Sequence, residues 1–148
     1  MSERARPSAI DQCHCFAVRK AARQITRLYD DHLEPAGLTI TQFLILALLN
    51  ETGAASVNEV AERLDIERTA MGKMLTVLER DGNVRIEQSP TDGRSRVAHL
   101  TPQGLLLVAK ATPLWREAQQ RFEDANGLGQ IDALRNGFVL PESGVPPR

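Results

Sequence analysis

A chain of 148 residues that is 42% hydrophobic and 25% charged has the balance of a single ordinary globular domain. With 4% aromatics its core has to be built from Leu, Val, Ile, Ala and Met, which favours helix packing over a large sheet. A net charge of −1 excludes a protein that coats nucleic acid by bulk charge; no run of about 18 apolar residues or signal-like stretch is present, so no membrane span is expected and the chain is placed in the cytoplasm.

Ala17, Ala21, Ile25, Leu28 and His32 recur at spacings of three and four, which predicts a first helix from Ile10 to His32 with Phe16 and Tyr29 flanking the stripe. Glu34-Pro35-Ala36-Gly37 stops it. Thr39 and Gln42 form a capping-box pattern ahead of the apolar run Phe43 to Leu49, so a second helix begins there. Glu51 to Ala54 reads as a loop. Ser56 and Glu59 repeat the capping box and open a helix whose Val57, Val60, Ala61 and Leu64 share one face.

After a tight corner at Asp65-Ile66-Glu67, a helix is expected from about Arg68 to Asp81, burying Met71, Met74, Leu75 and Leu78. Its opposite face carries Arg68, Thr69, Gly72, Lys73 and Thr76. From Val84 the period becomes two: Val84 and Ile86, then either Val97 and His99 or Ala98 and Leu100, alternate around a turn rich in Ser, Pro, Asp and Gly, which is a hairpin. Thr101-Pro102 starts a long helix to about Phe122, with a kink or break expected at Pro113. Asn126 to Gly129 interrupts the chain before a short helix from Ile131 to Phe138, and residues 139–148 read as a flexible tail.

Two short helices, a tight corner and a hairpin with an Asp/Gly/Arg-rich tip are the element order of a winged helix-turn-helix, in a mainly α fold. A helix about 10–12 Å across fits the roughly 12 Å major groove of DNA, and a thin hairpin suits the narrower minor groove. Arg68, Thr69, Lys73 and Thr76 are therefore the candidate major-groove contacts, with Arg94 and Arg96 at the wing. Asp92 stands two residues before Arg94, placed to accept hydrogen bonds from its guanidinium. Six acids between Asp65 and Asp92 are interleaved with the cations, so only folding can sort the signs onto different faces. Arg80 and Arg85 read as solvated side chains.

In the segments LTITQFLILALL and SVNEVAERLDIERTAMGKMLTVLERDGNVRIEQSPTDGRSRVAHLTPQG, and in the long helix after them, the chain resembles the MarR (multiple antibiotic resistance regulator) family, from about Cys13 to Phe138. The resemblance implies a single domain spanning 1–148, with dimerisation helices at 10–35 and 101–138 around a winged-helix lobe at 39–100. It also implies a homodimeric transcriptional regulator, a repressor by preference, on a near-palindromic duplex, without catalytic activity or cofactor. The family's wing motif Asp-x-Arg falls on Asp92 and Arg94, its recognition helix on Arg68 to Arg80, and Gly72 stands where the family usually has a small hydroxyl residue. Many such proteins release DNA when a small aromatic or phenolic effector enters a cleft beside the dimerisation helices. Here that cleft would be lined by Phe16, Phe43, Leu46, Trp115 and Phe122, with His14 or Arg19 as a polar anchor.

Cys13 and Cys15 have two readings: small thiols packed in a helix, or redox-sensing thiols, since some members of the family this chain resembles sense peroxide through a cysteine near the start of the first helix. With no full ligand set beside them, no metal is assigned. Two alternatives to a ligand-relieved regulator follow: a redox-sensing regulator acting through these thiols, and a winged-helix protein-interaction module that no longer binds DNA.

Overall fold

The computed structural model describes residues 8–141. Its elements run α1 (His14–Leu33), α2 (Ile40–Thr52), β1 (Ala54–Ser56), α3 (Val57–Arg63), α4 (Arg68–Arg80), β2 (Val84–Gln88), β3 (Arg96–Leu100), α5 (Pro102–Asn126) and α6 (Leu128–Asn136), with a 3-10 turn at Glu34–Ala36. This is a winged helix-turn-helix carried between a long first helix and a long fifth one. The expected flexible tail lies, from residue 142 onward, outside the described residues; residues 139–141 have no regular structure and are exposed. No single helix among the described residues is long and apolar enough to cross a membrane.

Both capping boxes form. Thr39 Oγ1 accepts from the Gln42 N–H at 3.2 Å while Gln42 returns its carbonyl oxygen to the Thr39 N–H at 3.0 Å, and Ser56 and Glu59 do the same at 3.1 and 2.8 Å. Each pair satisfies two backbone donors that a helix start leaves unpaired, so both helices begin where the chain announces them. Asp65 takes a positive φ of 52° at the α3–α4 corner, a conformation Asp tolerates better than bulkier residues. The central core then closes around α2: Leu33 from α1, Ile45, Leu46 and Leu49 from α2, Val60 from α3, Met71 and Leu75 from α4 and Ala111 from α5 are all fully buried.

Several expectations are corrected. α1 starts at His14, not Ile10, because the Asp11 carboxylate takes the Ser8 hydroxyl and N–H at 3.0 and 3.1 Å, closing a local turn that competes with helix. Its stripe is not core throughout: Ala17 and Ala21 are exposed, Ile25 and Leu28 are half-buried, and the buried residues of the helix are Tyr29 and Leu33. The loop read at Glu51 to Ala54 contains the start of β1, a strand of three small residues with no alternation to reveal it, held by its antiparallel pairing with β3. That pairing makes a three-stranded sheet in the order β1-β3-β2. The hairpin register pairs Ile86 with Ala98 and Val84 with Leu100, and Ala98 is fully buried, which decides between the two phases left open.

Pro113 does not break α5. It lacks only the N–H that would reach the Ala109 carbonyl, one bond of a long helix, and both residues are exposed while Val108, Ala111 and Ala118 around them are buried. The final helix begins at Leu128, three residues earlier than expected, and ends at Asn136.

The end of α4 and the start of α5 meet at a tight joint. Thr101 N–H donates to the Asn83 carbonyl at 3.1 Å, its hydroxyl donates to the Gly82 carbonyl at 2.6 Å, and its Oγ1 accepts from the Gly104 N–H at 3.0 Å. Gly104 is buried there, and a Cβ on it would stand 2.1 Å from the Asn83 carbonyl oxygen. Gly104→Ala is expected to cost about 3 kcal/mol, the upper part of the usual range for overpacking, because backbone rather than a flexible side chain would have to move. A urea unfolding midpoint unchanged from that of the parent protein would contradict the tight joint.

Candidate nucleic-acid interface

The exposed face of α4 and the hairpin of β2 and β3 stand side by side and enclose an open cleft of about 440 Å³. Arg68, Thr69, Gly72 and Thr76 line it from α4, Arg94 and Arg96 from the hairpin, and Ser56, Val57 and Asn58 from the start of α3. The burial of Met71, Leu75 and Leu78 against the core is what turns the polar stripe of α4 outward, with Leu75 also reaching the cleft lining.

Five of the seven residues singled out in the sequence for DNA contact therefore share this cleft: Arg68, Thr69, Thr76, Arg94 and Arg96. Lys73 is exposed on α4 but lies outside the lining, and so does Asp92 near the wing tip. Ser56, Asn58 and Ser95 also line the cleft and were not singled out. The signal for Ser56 was present in its capping box, but a capping pattern reports a helix start and not which surface that start will face.

Folding does sort the charges. The cleft lining holds three arginines and no acid. Among the described residues no carboxylate lies within 4.0 Å of Arg68, Lys73, Arg94 or Arg96, whereas Arg85 is paired with Glu87 at 2.8 Å and Arg80 with Asp81 at 3.5 Å, all on exposed side chains. Unpaired guanidinium groups in a concave surface make a local positive potential that the net charge of the chain conceals.

Asp92 acts differently from the expectation. Its carboxylate does not hold the Arg94 guanidinium; Oδ1 accepts from the Arg94 backbone N–H at 3.0 Å and Oδ2 from the Ser95 hydroxyl at 3.0 Å, while the Ser95 N–H donates to the Asp92 carbonyl at 3.1 Å. The reason is proximity: a short Asp side chain two residues ahead reaches the main chain, as in an Asx turn, before it reaches the end of an arginine. Gln88 closes the same turn by donating its side-chain amide to the Gly93 carbonyl. Thr76 is likewise committed, since its hydroxyl donates to the Gly72 carbonyl at 2.9 Å.

A second cavity, of about 350 Å³, lies among α1, α2, α5 and α6. Trp115 and Phe122 line it as expected. Leu46 and Phe43 do not: Leu46 is fully buried in the central core, and Phe43 is buried and stacked on Trp115 with ring centroids 5.8 Å apart. Phe16 is 41% exposed on the first half of α1, and neither it nor His14 nor Arg19 reaches the lining, because this part of α1 extends beyond the core. The polar residues that do line it are Thr26, Tyr29, Gln119, Glu123 and Arg135. Tyr29 donates its hydroxyl to the Gln119 side-chain carbonyl, and burial, reinforced by the nearby Glu123 carboxylate and opposed by Arg135, raises the phenol pKa and keeps it neutral.

Cys13 and Cys15 are both free and exposed, so the reading as packed thiols is corrected: Cys13 precedes the first turn of α1, and neither thiol reaches the core. His32 donates its Nδ1–H to the Leu28 carbonyl at 2.7 Å, and its Nε2 faces Glu117 at 4.0 Å.

The MarR family description matches residues 38–95, the span from the start of α2 to the wing. A transcriptional repressor of the helix-turn-helix type from Mycobacterium bovis is 35% identical over 101 residues, 68% of this chain and 69% of its own length. The chain belongs to the MarR family. An organic hydroperoxide resistance transcriptional regulator from Bacillus subtilis is 31% identical over 100 residues, 68% of each chain. In three dimensions the chain is similar to the Mycobacterium tuberculosis transcriptional regulator MosR in complex with DNA, with a TM-score of 0.74 and 37% identity over 81% of this chain and 88% of that one. Its MarR fold places α4 as the second helix of the helix-turn-helix and the β2–β3 hairpin as the wing.

Asp92→Ala removes two hydrogen bonds within the wing and none in the core. Amide hydrogen exchange at Arg94 and Ser95 is expected to accelerate while the global unfolding free energy stays within about 0.5 kcal/mol. Equal exchange in both proteins would show that Asp92 does not shape the wing.

Proposed function

We propose that two copies of this chain bind duplex DNA as a transcriptional repressor, each placing α4 in the major groove and the wing along the adjacent minor groove. The observation that carries this is the cleft between α4 and the hairpin, where Arg68, Arg94 and Arg96 converge with no acid in the lining. Arg68, Thr69 and Lys73 reach base edges and phosphates, Thr76 contributes its methyl and an oxygen lone pair, and Arg94 and Arg96 enter or flank the minor groove, held by the turn that Asp92 builds. Similarity to a MosR–DNA complex and to a repressor named CouR bound to a 23-mer DNA duplex, at 27% identity and a TM-score of 0.79, supports the same arrangement.

Residues 39–100 form the DNA-binding lobe on this reading, and residues 10–35 and 101–138 the dimerisation helices. In support, the first half of α1 has Ala17, Val18 and Ala21 exposed, and an apolar groove of about 510 Å³ lined by Ala21, Ile25, Leu28, Ile131, Leu134 and Phe138 runs among α1, α5 and α6. Two-fold pairing there gives a near-palindromic site, since each α4 must meet an equivalent half-site about one helical turn away. The cavity beside Tyr29 and Trp115 takes a small aromatic or phenolic effector that relieves binding; a regulator from Bordetella bronchiseptica, BpsR, whose DNA binding is regulated by 6-hydroxynicotinic acid, has a similar fold. The protein acts in the cytoplasm and catalyses no reaction.

Fluorescence anisotropy with the DNA flanking its own gene, at about 50 mM and about 200 mM salt, tests this reading. Affinity is expected to fall steeply with salt, and Arg94→Ala to weaken binding by about 1–3 kcal/mol across sequences. Failure to bind any genomic fragment, or a cellular role that survives loss of both Lys73 and Arg94, would favour a protein-interaction module instead, and salt-indifferent association would count against phosphate contacts.

A further inference from the structure

Gly72 sits in the middle of α4, where glycine weakens a helix relative to alanine. Neither of the usual structural reasons for glycine applies. Its backbone is not among the positive-φ positions, and a Cβ built on it would meet no atom within 4 Å. The remaining physical reason is close approach by something outside the chain, and Gly72 lines the cleft between α4 and the wing.

The chemistry around the notch narrows what approaches. Thr76, one turn further along, spends its hydroxyl proton on the Gly72 carbonyl at 2.9 Å, so it offers the outside a γ-methyl and an oxygen lone pair but no donor. Gly72 has no side chain at all. The middle of the exposed face of α4 is therefore shallow and free of side-chain donors at these two positions, while donors stand beside it at Arg68, Thr69 and Lys73. On the major-groove edge, thymine alone projects a methyl group; the other bases present only hydrogen-bonding groups and ring carbons there.

We propose that Gly72 and Thr76 form a methyl-accepting notch that reads the C5-methyl of a thymine in each half-site. The proposal rests on the DNA-binding reading above. A methyl group in that notch gains apolar contact with the Thr76 methyl and with the bare backbone of residue 72, and a side chain at 72 would occupy the same space. The notch thus exchanges helix propensity for base recognition.

Duplexes of about 25 bp, long enough for two half-sites one helical turn apart, are selected from a random-sequence pool by the full-length protein, and their thymines are replaced singly by deoxyuridine, which lacks only the methyl. At one symmetric position per half-site the replacement is expected to weaken binding roughly fourfold, the effect of losing one buried methyl-sized group. Gly72→Ala is expected to bind the thymine duplex more weakly, to lose the thymine-to-deoxyuridine difference at that position, and to melt at a higher temperature than the parent protein. Thr76→Ser, which keeps the hydroxyl and removes the methyl, should reduce the same difference. No position sensitive to deoxyuridine, or undiminished discrimination in both variants, overturns the notch while leaving DNA binding intact. A parent protein that retains no duplex from the pool overturns both readings.

Discussion

Everything the cleft does depends on the joint at which α4, the hairpin and α5 meet. Asn83 ends the turn after α4 and leads into β2, while Thr101 ends β3 and caps α5; their backbone hydrogen bond, with the Thr101 hydroxyl on Gly82, ties both roots of the wing to one point. Gly104 then lets the first turn of α5 lie directly against the Asn83 carbonyl, and Gln103 adds bonds to the Asp81 carbonyl at 3.0 Å and the Asn83 side chain at 3.3 Å. Among the described residues no buried side-chain polar atom lacks a partner, which is the condition for burying polar atoms without a large penalty. A recognition helix and a wing fixed to the same long helix keep their mutual spacing, and displacement of that helix is carried to both of them.

The same geometry explains how a chain with almost no net charge offers a cationic surface. Acids and bases alternate between Asp65 and Arg96, but the apolar stripe of Met71, Leu75 and Leu78 fixes the rotation of α4, and the burial of Ala98 fixes the phase of the hairpin. Once those two rotations are set, Arg68, Arg94 and Arg96 share a cleft while Glu79 turns back to accept the Ile86 N–H at 2.8 Å and Glu87 neutralises Arg85 on the sheet. Apolar packing thus positions the charges, and the charges contribute little to holding the fold, as is usual for exposed ion pairs.

A second link joins the long helices to the lobe. The Asp30 carboxylate of α1 accepts the Ile40 N–H at 2.8 Å, satisfying a donor in the first turn of α2, and Phe43 of α2 stacks on Trp115 of α5. The cavity beside Tyr29 lies between these two contacts and is bounded by α6, whose Arg135 stands 3.9 Å from Glu123 of α5. Occupancy of that cavity bears on α1, α2 and α5 at once, and α5 leads directly to the joint at Gly104.

By itself the sequence determined what is local: the helix starts at Thr39, Ser56 and Thr101, the buried stripe of α4 and the presence of a hairpin, because capping side chains, a 3.6-residue period and a two-residue period act within a few positions of the chain. It also named most of the cationic cleft, since a helix that buries one face must expose the other. Only the tertiary structure decided the pairing of β1 with β3, the inward phase of Ala98, the continuity of α5 through Pro113 and the removal of Phe43 and Leu46 from the cavity into the core. Those outcomes depend on groups far apart in the chain meeting in space, where burial and backbone pairing outweigh local preference.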